Sequence, residues 1–318
     1  MVGNPPDSRT AYRFPGGWRV VAAGWLLAAA GVNAGTSFDL TAGSLHAEIE
    51  VATDRLTGQF GPRFDRTGFV RSVTVDGIEL LGPWGLADEF GLFGDGVLGY
   101  EAAAIDETFL KIGVGRLRRD TDEDYKFDHS YPVETAFPVE VSADAGAVSV
   151  TQLSDGVGPW QYRYRKTYLL SGPGELTIRY ELSNTGAVDW SFEHYNHHWF
   201  RLADVAVGPG YRVATGFDLP EAPTGLLRKP RSLAMAAPLP PGGAEYYASD
   251  LAGIPASANY FALEIEDRPV VRYQGSFPPR RLAVYADTDG FCPEVFMRST
   301  LAPGETARWS ATYRFRTN

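Results

Sequence analysis

The sequence predicts an all-β protein, a large antiparallel β-sandwich, on three observations. Short runs with period-2 alternation recur along the chain; in "ELTIRYELSN", Leu176, Ile178, Tyr180 and Leu182 fall on one face and Thr177, Arg179 and Glu181 on the other. Turn residues separate the runs, as in Asp76-Gly77, Ser171-Gly172-Pro173-Gly174 and Asn184-Thr185-Gly186. The composition, 44% hydrophobic and 13% aromatic with 35 Gly and 22 Pro in 318 residues, suits a turn-rich chain with a large core, and an all-β unit of this size can be a single domain.

Taken in order, the chain opens on an export signal. Arg9, Arg13 and Arg19 precede an apolar run from Val20 to Val32, and Val32-Asn33-Ala34 offers small residues for cleavage. The run is shorter than the ~20 residues of a spanning helix, so the expectation is a signal peptide over 1–34, a secreted or periplasmic mature chain and no stable membrane association after cleavage near Ala34. One sandwich domain is expected over 35–318. Its strands are read in "SLHAEIEVA", "GFVRSVTVDGIELLG", "GAVSVTQLS", "YRYRKTYLLSGPGELTIRYELSNTG", "RLAVYAD" and "ETARWSATYRFR". Two stretches, 90–127 (Gly-rich, then charged) and 219–243 (Pro-rich), read as long loops, where binding groups tend to gather.

The formal charge of −10, which becomes −12 when three Arg and one Asp leave with residues 1–34, argues against a nucleic-acid partner. The single Cys292 excludes an internal disulfide.

The segment "WSFEHYNHHWF" (190–200) concentrates three of the five histidines. On a strand, His194, Asn196 and His198 face one way, and Glu193, Tyr195, His197 and Trp199 the other, which splits the cluster and disfavours a metal site. No HExxH or CxxC spacing is present. Aromatic faces beside polar groups suit a carbohydrate, and an imidazole can exchange a proton near neutral pH. In "FCPEVFMRSTLAPGET", Glu294 lies in an apolar run, where burial would raise its pKa and make it a usable base. Asp88 and Glu89 in "GLADEFGLFGDG" are candidates for hydrogen-bonding sugar hydroxyls, and Tyr125, His129 and Tyr131 in "DEDYKFDHSYPVE" are candidates for a pocket rim.

The "YELSNTG" turn followed by "NHHWFRLADVAVGPGY", with the later "FCPEVFMRSTLAPGETARWSATYRF", resembles the aldose 1-epimerase (galactose mutarotase-like) superfamily, in particular its hexose-phosphate epimerase branch. The resemblance spans roughly residues 45 to 316 and rests on few, short motifs. It implies a β-supersandwich with Glu294 as catalytic base and His197 as catalytic acid, opening and reclosing a sugar ring without a cofactor. Tyr195 and Trp199, on the His197 face, become candidate substrate contacts. The family's His-Gly-Phe-Ala-Arg type stretch has its nearest match in "FLKIGVGRLRR", where Gly113, Gly115 and Arg116 persist but Lys111 and Ile112 stand at the histidine position. A cation at Lys111, with Arg116 nearby, suits an acidic sugar.

The leading expectation is therefore an exported isomerase acting at the anomeric carbon of an aldose or oligosaccharide end. Two alternatives use the same fold: a polysaccharide lyase acting on uronate glycans through Lys111, Arg116 and Tyr125, or a non-catalytic glycan-binding protein.

Overall fold

A computed structural model describes residues 35–144, 146–220 and 226–316; the export signal read over 1–34 lies outside the described residues. Two large antiparallel sheets carry the chain. One has nine strands, in the order Thr36–Ala42, Leu45–Val51, Gly68–Val75, Leu81–Phe90, Trp190–Phe200, Phe291–Leu301, Arg281–Ala286 and Glu245–Asp250, with the short Ile78–Glu79 beside Gly68–Val75. The other has ten, running Val139–Asp144, Ala147–Leu153, Tyr162–Gly172, Glu175–Asn184, Thr306–Phe315, Arg268–Gly275, Tyr260–Ile265, Tyr211–Thr215, Ser232–Met235 and Leu226–Lys229. The nine-stranded sheet joins strands from both ends of the described chain, whereas the ten-stranded sheet is built from residues 139–315.

Alternation and turn chemistry place these strands. In Glu175–Asn184, Leu176, Ile178, Tyr180 and Leu182 are all buried, whereas Arg179 is exposed. The Asp76-Gly77 pair closes a two-residue hairpin with both residues at positive φ (52° and 79°), the geometry whose twist matches the flanking strands. The inward faces of the two sheets share one apolar core, in which Phe90 and Phe192 meet Tyr180 and Trp309 across the sandwich.

A network of charged groups is paired inside this core. Lys166 Nζ lies 2.8 Å from Asp65 Oδ2 and 2.9 Å from Asp88 Oδ2, and it also donates to the Gly68 carbonyl; all three charged side chains are buried. Tyr180 and Asn196 donate to Asp88 as well. Burial alone would raise the Asp88 pKa, but Lys166 and His194 hold it below the ordinary carboxylate range.

The 90–127 stretch, expected as a long loop, instead contributes to a small third sheet of four strands: Val97–Leu98, Thr108–Lys111, Gly115–Arg118 and Val133–Ala136. Each strand is only two to four residues long, too short for alternation to reveal it. The described part of 219–243 holds the short hairpin Leu226–Lys229/Ser232–Met235 at the end of the ten-stranded sheet.

Candidate active site

The Trp190–Phe200 strand sits in the middle of the nine-stranded sheet, and its last seven residues, from His194 on, are buried on both faces. Parity sorts its polar side chains. On the inner face, Trp309 Nε1, which can only donate, hydrogen-bonds His194 Nδ1 (3.2 Å), so the His194 proton sits on Nε2 and is donated to Asp88 Oδ1 (3.1 Å). His198 donates from Nδ1 to the Pro293 carbonyl and accepts from the Tyr313 hydroxyl at Nε2 (2.9 Å). Burial depresses its pKa to about 4, in keeping with a neutral ring. These two histidines are structural members of the sandwich interior.

On the outer face, His197 Nε2 lies 3.1 Å from Glu294 Oε1, which reaches it from the adjacent Phe291–Leu301 strand. Both side chains are about 5% exposed. Trp199 stacks on the imidazole with ring centroids 3.8 Å apart, and Phe64 packs edge-on against it at 5.4 Å. Burial, helped by Arg63 and His198, drives the His197 pKa well below its ordinary value. Burial raises Glu294 well above its ordinary value, with Arg63 opposing and Glu89 adding to the rise. Burial thus disfavours the charged form of each group.

Beside this dyad is a second set of charges. Glu89 Oε2 accepts from Arg63 Nε (2.8 Å) and from the Tyr195 hydroxyl, which in turn accepts from Arg63 Nη2 (3.0 Å). Lys111 Nζ lies 3.9 Å from Glu89 Oε1 and hydrogen-bonds the Tyr125 hydroxyl at 2.7 Å. Lys111 is fully buried, and burial lowers its pKa to about 8. It is therefore neither a surface lysine nor a permanently fixed charge.

Arg63 escaped the sequence reading. It belongs to the short turn Gly61–Arg63, which with the helix Arg55–Phe60 crosses the outer face of the nine-stranded sheet. The turn is anchored from behind: Asp65 is fixed by Lys166, its N–H donates to the Asp88 carbonyl (2.9 Å), and Arg66 N–H donates to the Gly113 carbonyl (3.0 Å). Gly113 is required here, because at φ +79° a Cβ would come within 2.6 Å of Asp65 Cγ. The "KIGVG" turn thus locks Lys111 to the segment that carries Arg63.

The remaining candidates are placed differently. Asp88 and Glu89 are sequence neighbours on one strand, so parity sends Asp88 into the sandwich interior and only Glu89 to the outer face. Arg116 does not join Lys111. The hairpin pairs Lys111 with Gly115 and Leu110 with Arg116, which puts the two cations on opposite faces, and Arg116 pairs with Asp155. His129 bonds Asp120 (2.8 Å) and packs on Tyr131, one layer behind Tyr125. Tyr195 and Trp199 are on the expected face but are 1% and 2% exposed, stacked on Phe296 and His197, so neither is an open sugar platform. Half-buried Trp84, Tyr285 and Phe127 and exposed Tyr246 are the aromatics nearest solvent around the cluster. A surface cleft of about 400 Å³ between Arg55, Arg71, Glu79 and Arg201 shares no lining residue with it.

No protein-family model matches the chain, and no curated protein matches it in sequence. Solved structures do match in shape. A galactose mutarotase related enzyme from Lactobacillus acidophilus aligns with a TM-score of 0.55 at 13% identity, over 89% of this chain and 98% of that one. An aldose epimerase homologue from C. elegans gives 0.54 at 12%, over 89% and 99%. A galactose mutarotase-like protein from Lactobacillus casei gives 0.52 at 14%, over 88% and 100%. With nearly the whole length of each of these chains matched and two large antiparallel sheets here, this protein has the galactose mutarotase-like β-supersandwich fold.

Proposed function

We propose that the protein is a carbohydrate isomerase that interconverts the α and β anomers of an aldose by proton transfer at Glu294 and His197. The 3.1 Å separation of His197 Nε2 and Glu294 Oε1 carries this reading. Ring opening needs one group to take the proton of the anomeric hydroxyl and another to give a proton to the ring oxygen. A neutral dyad with one proton contains both when that proton is on the imidazole. Glu294 then takes the anomeric proton and His197 donates to the ring oxygen as the bond from C1 to that oxygen breaks. Rotation about C1–C2 and the reverse transfers close the other anomer and return both protons.

At rest the shifts favour the proton on Glu294; once it has passed to His197, the same burial makes Glu294 a stronger base than an ordinary carboxylate and protonated His197 a stronger acid than an ordinary imidazolium. Because both side chains are about 5% exposed, entry of a sugar requires the Arg63–Phe64 cover to shift. The structural neighbours, among them a galactose mutarotase related enzyme and an aldose epimerase homologue, support the same reaction class.

Exchange NMR on aldoses dissolved as single anomers tests the proposal. The wild type should accelerate anomer exchange and His197→Asn should return it to the buffer rate; a wild type that leaves every neutral and acidic aldose at the buffer rate refutes it. Export, read from residues 1–34, is a separate proposal, tested by whether the chain recovered outside the cytoplasm begins near Gly35.

A further inference from the structure

Two cations at the site, Arg63 and Lys111, are only partly satisfied by their neighbours. Glu89 is the carboxylate that lies within 4 Å of both. Glu89 is committed through Oε2 to Arg63 and Tyr195, while its buried Oε1 makes no hydrogen bond. Lys111, at 3.9 Å from that oxygen, is beyond hydrogen-bonding distance and donates to a neutral phenol instead. Two cations therefore share one carboxylate here, within a chain whose formal charge is −10. A buried charge without a partner is unfavourable, and an incoming anion would relieve it.

The free donors point the same way. Arg63 uses Nε for Glu89 and Nη2 for Tyr195, and Nη1 makes no hydrogen bond among the described residues. Its guanidinium is steadied by the Phe64 and Phe127 rings, at 4.7 and 4.6 Å, contacts that use no N–H group. Lys111 Nζ has three donors, one of which goes to Tyr125.

We propose that the sugar bound here is an anionic aldose, a hexuronate, whose carboxylate is held by Lys111 and Arg63 while its anomeric carbon faces His197 and Glu294. The placement of the anomeric carbon rests on the reaction proposed above; the charge of the ligand does not. The unused donors, at Arg63 Nη1 and at Lys111 Nζ, are two groups for the two oxygens of a carboxylate.

Methyl glycosides, whose anomeric centres are locked, separate binding from catalysis. The wild type is titrated calorimetrically with the methyl glycosides of glucuronic and galacturonic acid, their C6 carboxamides, and methyl glucoside and methyl galactoside, with methyl glucoside 6-phosphate as the second anion. At least one hexuronide should bind about tenfold or more tightly than its own carboxamide, and in Lys111→Met the ratio should fall to about one. Equal binding of acid and amide by the wild type overturns the proposal, as does an unchanged ratio in a folded Lys111→Met; tighter binding of the phosphate overturns the hexuronate assignment. Should Lys111→Met fail to fold, the acid-to-amide ratio on the wild type still decides.

The two proposals can fail separately. Selective hexuronide binding with no anomerisation of the free uronate removes the isomerase and keeps the anionic ligand. Anomerisation of neutral aldoses by a protein indifferent to charge does the reverse.

Discussion

Glu294→Gln should lower the rate of anomer exchange while leaving the protein as stable as the wild type or more so. Glutamine keeps the shape of the side chain and removes only its capacity to take a proton. General-base catalysis contributes typically about 10²- to 10⁴-fold, or about 2.7 to 5.5 kcal/mol of barrier at 1.36 kcal/mol per factor of ten. The stability effect takes its sign from burial. The folded-state pKa of Glu294 lies well above its ordinary value, so above the unfolded pKa the unfolded chain releases a proton that the folded chain retains. Stability from this group is complete below that unfolded value and is lost as pH rises toward the folded one; glutamine, which never ionises, avoids the loss at pH 7. Exchange NMR and thermal melting on the same samples read both effects. An unchanged rate in Glu294→Gln would refute the base assignment, and a melting temperature lower by more than a few degrees would show that the carboxylate supports the fold instead.

Further outcomes follow from named contacts. Lys166→Met strands two buried carboxylates, Asp65 and Asp88, and should cost about 3 to 5 kcal/mol, roughly 6 to 15 °C in melting temperature; a loss under 2 °C would mean the interior triad is not a structural tie. Gly113→Ala places a methyl 2.6 Å from Asp65 Cγ at positive φ, so a loss of about 2 kcal/mol or more is expected on denaturant melting, whereas neutrality would show that the turn yields freely. His198, with its pKa lowered to about 4 in the fold, binds its proton more readily in the unfolded chain, so its stability contribution is full above about pH 6.5 and fades as pH falls toward 4. His198→Gln should therefore be less acid-sensitive than the wild type over that window by about 3 kcal/mol in urea titrations, and parallel pH curves would contradict the depressed pKa.

Several strands were legible from alternation over six or more residues, although Val139–Asp144 and Tyr260–Ile265 alternate over six and were not read. "GAVSVTQLS" became Ala147–Leu153, and "RLAVYAD" became Arg281–Ala286. The division of "WSFEHYNHHWF" by parity was legible for the same reason, because period 2 is a property of the backbone and survives whatever packs on either side. Arg63 was not. It lies in "FGPRFD", which has no period, and its meaning comes from Glu89 and Tyr195, 26 and 132 positions away. Arg116 was misread by proximity to Lys111 in sequence, although the four-residue turn Lys111–Val114 would have put the two on opposite faces of a tight hairpin. The hydrogen bond of His129 to Asp120 could not be inferred from spacing, because both lie in irregular chain.

Double burial of the Trp190–Phe200 strand ties the fold and the site together. Asp88 and Glu89, on the neighbouring strand, and Asn196 and His197, on this one, are adjacent pairs whose members point to opposite sides of one sheet. The inner members close the network of Lys166, Asp65, Tyr180 and His194; the outer members meet Arg63 and Glu294. Asp65 belongs to both sides, since it binds Lys166 inside the sandwich and stands two residues from Arg63 outside it. The cover over the dyad is thus held from beneath by the same interior ion network that joins the two sheets. Movement of Arg63 and Phe64 to admit a ligand can then be confined to the segment ahead of Asp65, where Phe60, Gly61 and Arg63 are only half-buried, while the dyad itself stays fixed on two central strands.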